Sequence, residues 1–232
     1  MLTTLLGVTL AIYVGKSERA IAIGIGFSVG IMLLISFFEL IPEAIAQTNL
    51  AITATTCLLG MLIIAVLHWL IPHTHLIEEK GTFNRTLLKA AYLVAFGLIL
   101  HDVPEGFAMA NSYIASPSLG IMVALAIAVH NIPEEFAMAV PIVTVKKKRF
   151  LYTAAFLSGL AEPLGAIIGL VAVHLHPVFN PLFMAFAAGA MIFVSVHELM
   201  PMARKYQKFH LFILGMVASI FTYALLSMMI PA

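Results

Sequence analysis

Apolar runs separated by short polar or Pro/Gly punctuation divide the entire chain. A hydrocarbon core roughly 30 Å thick takes about 20 apolar residues of helix, so each run reads as a transmembrane segment. The runs predict eight helices, at approximately 2–15, 20–46, 50–71, 87–111, 118–145, 150–174, 180–203 and 210–231. The first is short for a full crossing, which a locally thinned bilayer or residues borrowed from the following loop would accommodate. The opening Met1-Leu2-Thr3-Thr4 lacks the basic flank of a secretory signal and reads as the start of that span. No stretch long enough for a soluble domain interrupts the runs. Residues 1–232 are therefore expected to form a single all-α integral membrane domain.

Charge orients this bundle. Cytoplasmic loops collect Lys and Arg, and all twelve of those residues fall after odd-numbered spans. Lys16 and Arg19 follow the first; Lys80, Arg85 and Lys89 the third; Lys146, Lys147, Lys148 and Arg149 the fifth; Arg204, Lys205 and Lys208 the seventh. The other loops and both ends have none, which predicts both termini outside.

The segments are internally related. His101-Asp102-Val103-Pro104-Glu105-Gly106-Phe107-Ala108-Met109-Ala110 returns 29 residues later as His130-Asn131-Ile132-Pro133-Glu134-Glu135-Phe136-Ala137-Met138-Ala139. A looser copy relates Gly30, Met32, Ser36, Glu39, Leu40 and Pro42 in the second span to Gly189, Met191, Ser195, Glu198, Leu199 and Pro201 in the seventh. The members of each pair run in opposite directions in the assigned topology. Inverted repeats with proline-interrupted helices are a device of secondary transporters, which bind substrate near the midplane where the repeats meet.

Composition agrees with a lipid environment: 62% hydrophobic residues, 10% charged, and a mean hydropathy of +1.07. A formal net charge of +1 excludes a strongly basic nucleic-acid binder. The single cysteine, Cys57, excludes an intrachain disulfide.

Against that background the ionisable residues stand out, because a charge inside a membrane helix costs a few kcal/mol and needs a partner or a function. Spans four to six carry His101, Asp102, Glu105, His130, Asn131, Glu134, Glu135 and Glu162. At about 100° per residue, Glu105 lies roughly 40° round the helix from His101 and about 60° from Asp102, between the two. Glu134 lies in the same way between His130 and Asn131. Each glutamate can therefore bridge two sites. One would use His101, Glu105, His130 and Glu134, an imidazole and carboxylate set suited to zinc or ferrous iron. The other would use Asp102, Glu105, Asn131, Glu134 and Glu162, a set rich in oxygen that suits harder ions. Ionised Asp102, Glu105, Glu134 and Glu162 would carry four negative charges, which two divalent cations neutralise. Proton and metal occupancy are expected to be linked. Pro104, Pro133 and Pro163 cannot donate to the carbonyls of Leu100, Val129 and Gly159, freeing a backbone oxygen within a turn of a ligand.

At these residues the chain resembles the ZIP family of divalent-metal transporters, especially short bacterial members of broad specificity. The resemblance covers essentially the whole chain and rests on His101 to Gly106, His130 to Glu135 and Glu162-Pro163. It implies eight spans in a 3+2+3 arrangement, a metal site between spans four, five and six, and homodimers in the cell membrane. Asp102 departs from the Asn, and Glu135 from the Gly, that are frequent in the family motif. Long histidine-rich loops of other members are missing; His73 and His75 remain near the loop after the third span.

Glu39, Glu43, His197 and Glu198, towards the C-terminal ends of spans two and seven, are interfacial residues or members of an accessory site or transport path. The thirteen methionines are expected to pack rather than bind soft metals, and Ala185, Ala187, Ala188 and Gly189 to allow close helix contact. Two rival functions stay open. An intramembrane metallohydrolase would want a His-Glu-x-x-His arrangement, which the chain lacks. A proton channel or exchanger would use the same carboxylates. The reading adopted is a transporter, not an enzyme, with no resident cofactor. It moves zinc, and as further candidates iron, manganese or cadmium, into the cytoplasm.

Overall fold

The computed structural model describes residues 1–14, 17–70, 101–143 and 148–230. Among the described residues the chain is helical, with no strand. The helical segments are α1 (Leu2–Val14), α2 (Glu18–Gln47), α3 (Leu50–Leu70), α4 (101–115), α5 (Pro117–Val143), α6 (Lys148–Leu175), α7 (Phe179–Lys205) and α8 (Phe209–Met229). Six of these, α2, α3, α5, α6, α7 and α8, are long and apolar enough to cross a membrane. The 13 residues of α1 reach about 20 Å, the shortness expected of that run. The first part of the expected fourth span lies outside the described residues. So do Lys16, His73, His75, Lys80, Arg85, Lys89, Leu100, Lys146 and Lys147.

Local chemistry sets the helix ends. Ser17 Oγ accepts from the Ala20 amide at 3.3 Å and caps α2, while Asn49 Oδ1 accepts from the Ile52 amide at 2.9 Å ahead of α3. α4 continues to residue 115, past the expected 111, because no breaker occurs until Ser116-Pro117. A residue before proline avoids helical backbone, and the proline then begins α5, where its missing N–H costs nothing.

Both α2 and α7 widen into a π-turn at equivalent places, Ser36–Leu40 and Ser195–Leu199. In each, the residue ahead of a proline bonds five residues back: the Ile41 amide to the Ser36 carbonyl, and the Met200 amide to the Ser195 carbonyl. Pro42 and Pro201 follow and cannot donate. The wider turn removes a strict i−4 register where a proline would break it.

The internal repeat extends to packing. Gly30 of α2 abuts Met216 and Ser219 of α8, and Gly189 of α7 abuts the backbone of Cys57 of α3. Met216 and Cys57 are separated by the same 159 positions as Gly189 and Gly30. Thus α2 packs on α8 as α7 packs on α3. Similarly, Gly7 of α1 meets the Ile132 carbonyl of α5, and Gly165 of α6 meets the Val103 carbonyl of α4. Ile132 and Val103 are equivalent residues of the motif, each preceding its proline. Contacts this close need a residue without Cβ.

The exterior is apolar and the interior holds the acids, as lipid requires. Trp69, Phe221 and Met228 are largely exposed, whereas Ala185, Ala187, Ala188 and Gly189 are buried as expected of close-packing residues.

Candidate metal centre

Three helices supply the centre. On α4 and α5 the spacing His-x-x-x-Glu puts an imidazole and a carboxylate one turn apart on one face. On α6, Ser158 and Glu162 repeat that spacing. Gly165 lets α6 approach α4 at the Val103 carbonyl, and Gly7 lets α1 approach α5 at Ile132. The motif faces therefore point into the bundle: His101, Asp102, Glu105, His130, Asn131, Glu134, Glu135 and Glu162 are all buried.

His101 Nε2 lies 3.0 Å from Glu134 Oε1 and 3.3 Å from Asp102 Oδ1. His130 Nε2 lies 3.4 Å from Glu105 Oε1 and 3.6 Å from Glu134 Oε2. Two groups have ligand atoms all within 4.8 Å of one another: His101, Asp102 and Glu105, and Glu105, His130 and Glu134. Glu105 belongs to both groups, while Glu134 reaches both histidines. The first group places Asp102 with His101, two residues that the sites expected from the helix angles kept apart.

Hydrogen-bond arithmetic inside the centre does not close. His130 Nδ1 sits 3.0 Å from the Ala126 carbonyl, which can only accept, so Nδ1 carries a proton. In a neutral ring Nε2 is then a lone pair, aimed at two carboxylates. The arrangement needs an imidazolium or a cation between these atoms. Glu105 Oε2 and His101 Nδ1 are buried without a hydrogen-bond partner among the described residues, and the two oxygens of Glu134 face imidazole nitrogens. Buried polar atoms are ordinarily paired, and carboxylate oxygens gathered on imidazole nitrogens form a donor set that could hold a metal ion. The Ala126 carbonyl also orients the ring, as outer-shell partners of metal-bound histidines do. Ser28 of α2 donates to the His130 carbonyl at 3.0 Å, tying α2 to this turn of α5.

The remaining expected ligands divide. Asn131 Nδ2 donates to Glu162 Oε1 at 2.5 Å, and Glu162 Oε2 lies 3.8 Å from the Met1 amine. Asp102 turns one oxygen to His101 and the other to the Ser158 hydroxyl. Ser158 also reaches Glu135 Oε1 at 3.0 Å. Ser158 and Glu135 lie outside the expected ligand set but join Asp102 in one hydrogen-bonded group. The signals were present: Ser158 stands one turn before Glu162, and Glu135 replaces the glycine of the first motif copy.

Glu39, Glu43, His197 and Glu198 have other partners. Glu39 accepts a short hydrogen bond from Tyr223 of α8, and Glu43 accepts from Gln47 at 2.8 Å. His197 stacks on Phe193, with ring centroids 4.6 Å apart. Glu198 Oε2 lies 4.0 Å from His68 Nδ1 of α3. Glu39 and Glu198 are equivalent in the repeat, and both lie in the π-turns.

Comparison with known proteins agrees with the residues. A family model described as ZIP Zinc transporter matches residues 70–230. The zinc transporter ZupT of Nitratidesulfovibrio vulgaris is 37% identical, over 97% of this chain and 91% of the relative. ZupT of Streptococcus mutans is 38% identical, over 90% of this chain and 85% of the relative. ZupT of Stenotrophomonas maltophilia is 35% identical, over 97% and 90%. With six apolar helices long enough to cross a bilayer and identity of this extent along nearly its whole length, the chain is a multi-pass membrane protein that belongs to the ZIP zinc transporter family.

Proposed function

We propose that the chain carries divalent metal ions, zinc foremost, across the membrane into the cytoplasm through a binuclear centre on α4, α5 and α6. The observation that carries this reading is the convergence of His101 and His130 on the shared carboxylates Glu105 and Glu134. An imidazole and carboxylate set at zinc-ligand spacing, buried in a lipid-facing bundle, is costly unless a cation occupies it. Asp102 completes the His101 side, and the Asn131–Glu162 pair lies ready on the α6 side to take up a second ion. Iron, manganese and cadmium are further substrates that this mixed set accommodates. The relatives named zinc transporters support transport over hydrolysis.

The fold reading that accompanies this function has eight spans in a 3+2+3 arrangement, both termini outside, in a homodimer. The repeated packing of α2 on α8 and α7 on α3 supports two related halves around the site. Glu39, Glu43, His197 and Glu198 are accessory residues of the path, with Glu39 and Glu198 at equivalent π-turns. Ions pass from the outside to the histidine centre, shed water there, and leave inward after one helix group moves against the other.

Zinc uptake into proteoliposomes tests the site. The expected result is uptake by the purified chain and its loss in the His101→Ala, His130→Ala double variant. Equal uptake by both would reject the centre.

A further inference from the structure

Glu135 takes the place of Gly106 in the second motif copy, and the structure has made room for it. In the first copy, Gly106 packs against the backbone of Glu162 and Ala166 on α6. In the second, the Cβ of Glu135 lies against Gly7 of α1, 2.7 Å from where a Cβ on Gly7 would stand. The 159-residue offset that relates α2 to α7 also relates Gly7 to Ala166. The glycine has therefore moved to the partner helix, and the position facing it bears a carboxylate.

That carboxylate is 4% exposed, and its Oε2 is buried with no hydrogen-bond partner among the described residues. Its Oε1 lies 3.0 Å from Ser158 Oγ, which also bonds Asp102 Oδ2. Ser158 is fully buried and owns one proton, so it can donate to only one of the two acids. Two carboxylates share one hydroxyl away from water, and the His101 imidazole meets Asp102 alone, so no positive charge contacts Glu135 among the described residues. Glu135 and Ser158 have no role in the histidine centre, and the three groups offer oxygen alone.

We propose that Asp102, Glu135 and Ser158 form an additional all-oxygen subsite beside the histidine centre, which takes a hard divalent cation such as Mn²⁺. The inference rests on the reading of the neighbouring centre, because Asp102 serves both. Carboxylate and hydroxyl oxygens without imidazole or thiolate suit manganese, a harder ion than zinc. The subsite gives this chain a place for a hard ion that the first motif copy, with Gly106, does not build.

Mn²⁺ binding to the purified full chain, preloaded with two equivalents of Zn²⁺ to fill the binuclear centre, tests the subsite by the loss of the free-ion electron paramagnetic resonance signal. Wild type is expected to bind one Mn²⁺. Glu135→Gln and Ser158→Ala should each weaken that binding roughly tenfold or more, the scale on which even an outer-shell loss weakens a metal site. Their zinc affinity, measured by calorimetry, should stay at the wild-type level, which also reports that each variant is folded. Absence of Mn²⁺ binding in wild type, or unchanged Mn²⁺ binding in both variants, overturns the subsite. Parallel loss of zinc and manganese overturns it as well, since the residues would then support one centre. The His101→Ala, His130→Ala variant separates the two readings: it should lose zinc and keep Mn²⁺, and zinc retained there counts against the histidine centre alone.

Discussion

His101 of α4 and Glu134 of α5 meet at 3.0 Å, and the other oxygen of the same carboxylate lies 3.6 Å from His130. One side chain thus touches both imidazoles from the two copies of the motif. Each of its buried oxygens faces one imidazole, so its charge is directed at the space between the histidines.

Glu134→Gln keeps the shape of that side chain and removes its charge. Zinc uptake in proteoliposomes is expected to fall by roughly a hundredfold, the upper end of what a perturbed metal shell loses. Glu18→Gln alters an exposed carboxylate at the start of α2 that faces Lys208 at 3.6 Å, and should transport near the wild-type rate. Equal rates in Glu134→Gln and wild type would remove Glu134 from the transport site.

Zinc should stabilise the purified protein. A ligand that binds only the folded state at a hundred times its Kd adds about 2.7 kcal/mol. The melting temperature should rise on adding zinc, return to its starting value with a chelator, and stay flat in the His101→Ala, His130→Ala variant. A zinc-dependent rise that survives in the double variant would place binding elsewhere.

The Tyr223 hydroxyl donates to Glu39 across the α2–α8 contact. Tyr223→Phe removes the donor and is expected to cost about 1.5–3 kcal/mol, the range for a hydrogen bond to a charged group. Glu39→Gln and the double variant complete a thermodynamic cycle read by thermal melting. Additive losses would show that the two residues do not interact.

Gly7 and Gly165 each press on the carbonyl ahead of a motif proline. Gly7→Val and Gly165→Val should each destabilise the protein by about 1–3 kcal/mol through overpacking. Both should also depress zinc uptake, because the displaced helices carry ligands or their supports. Variants that melt and transport as wild type would show that these approaches are not required.

Much of this architecture is legible along the chain. Lipid admits only helices and closed barrels, whose backbone bonds close internally, so apolar runs of helical length mark the candidate spans. The price of burying charge marks His101, Glu105, His130 and Glu134 as candidates for function, and helical angles predict that each glutamate can bridge. The repeat of Ser36, Glu39, Leu40 and Pro42 at Ser195, Glu198, Leu199 and Pro201 is visible as letters, but its conversion into paired π-turns is not. That outcome depends on how each helix accommodates its proline against neighbours.

What the amino-acid order determined by itself is which segments enter the bilayer and which residues on each helix share a face, because both follow from local periodicity and desolvation cost. Tertiary packing alone decided which faces meet. It joined Asn131 to Glu162, drew Asp102 towards Ser158 and brought Glu135 into the interior, all through approaches between helices distant in sequence. Such approaches depend on where a missing Cβ on one helix, as at Gly7 or Gly165, coincides with backbone on another. No periodicity within a single segment records that coincidence.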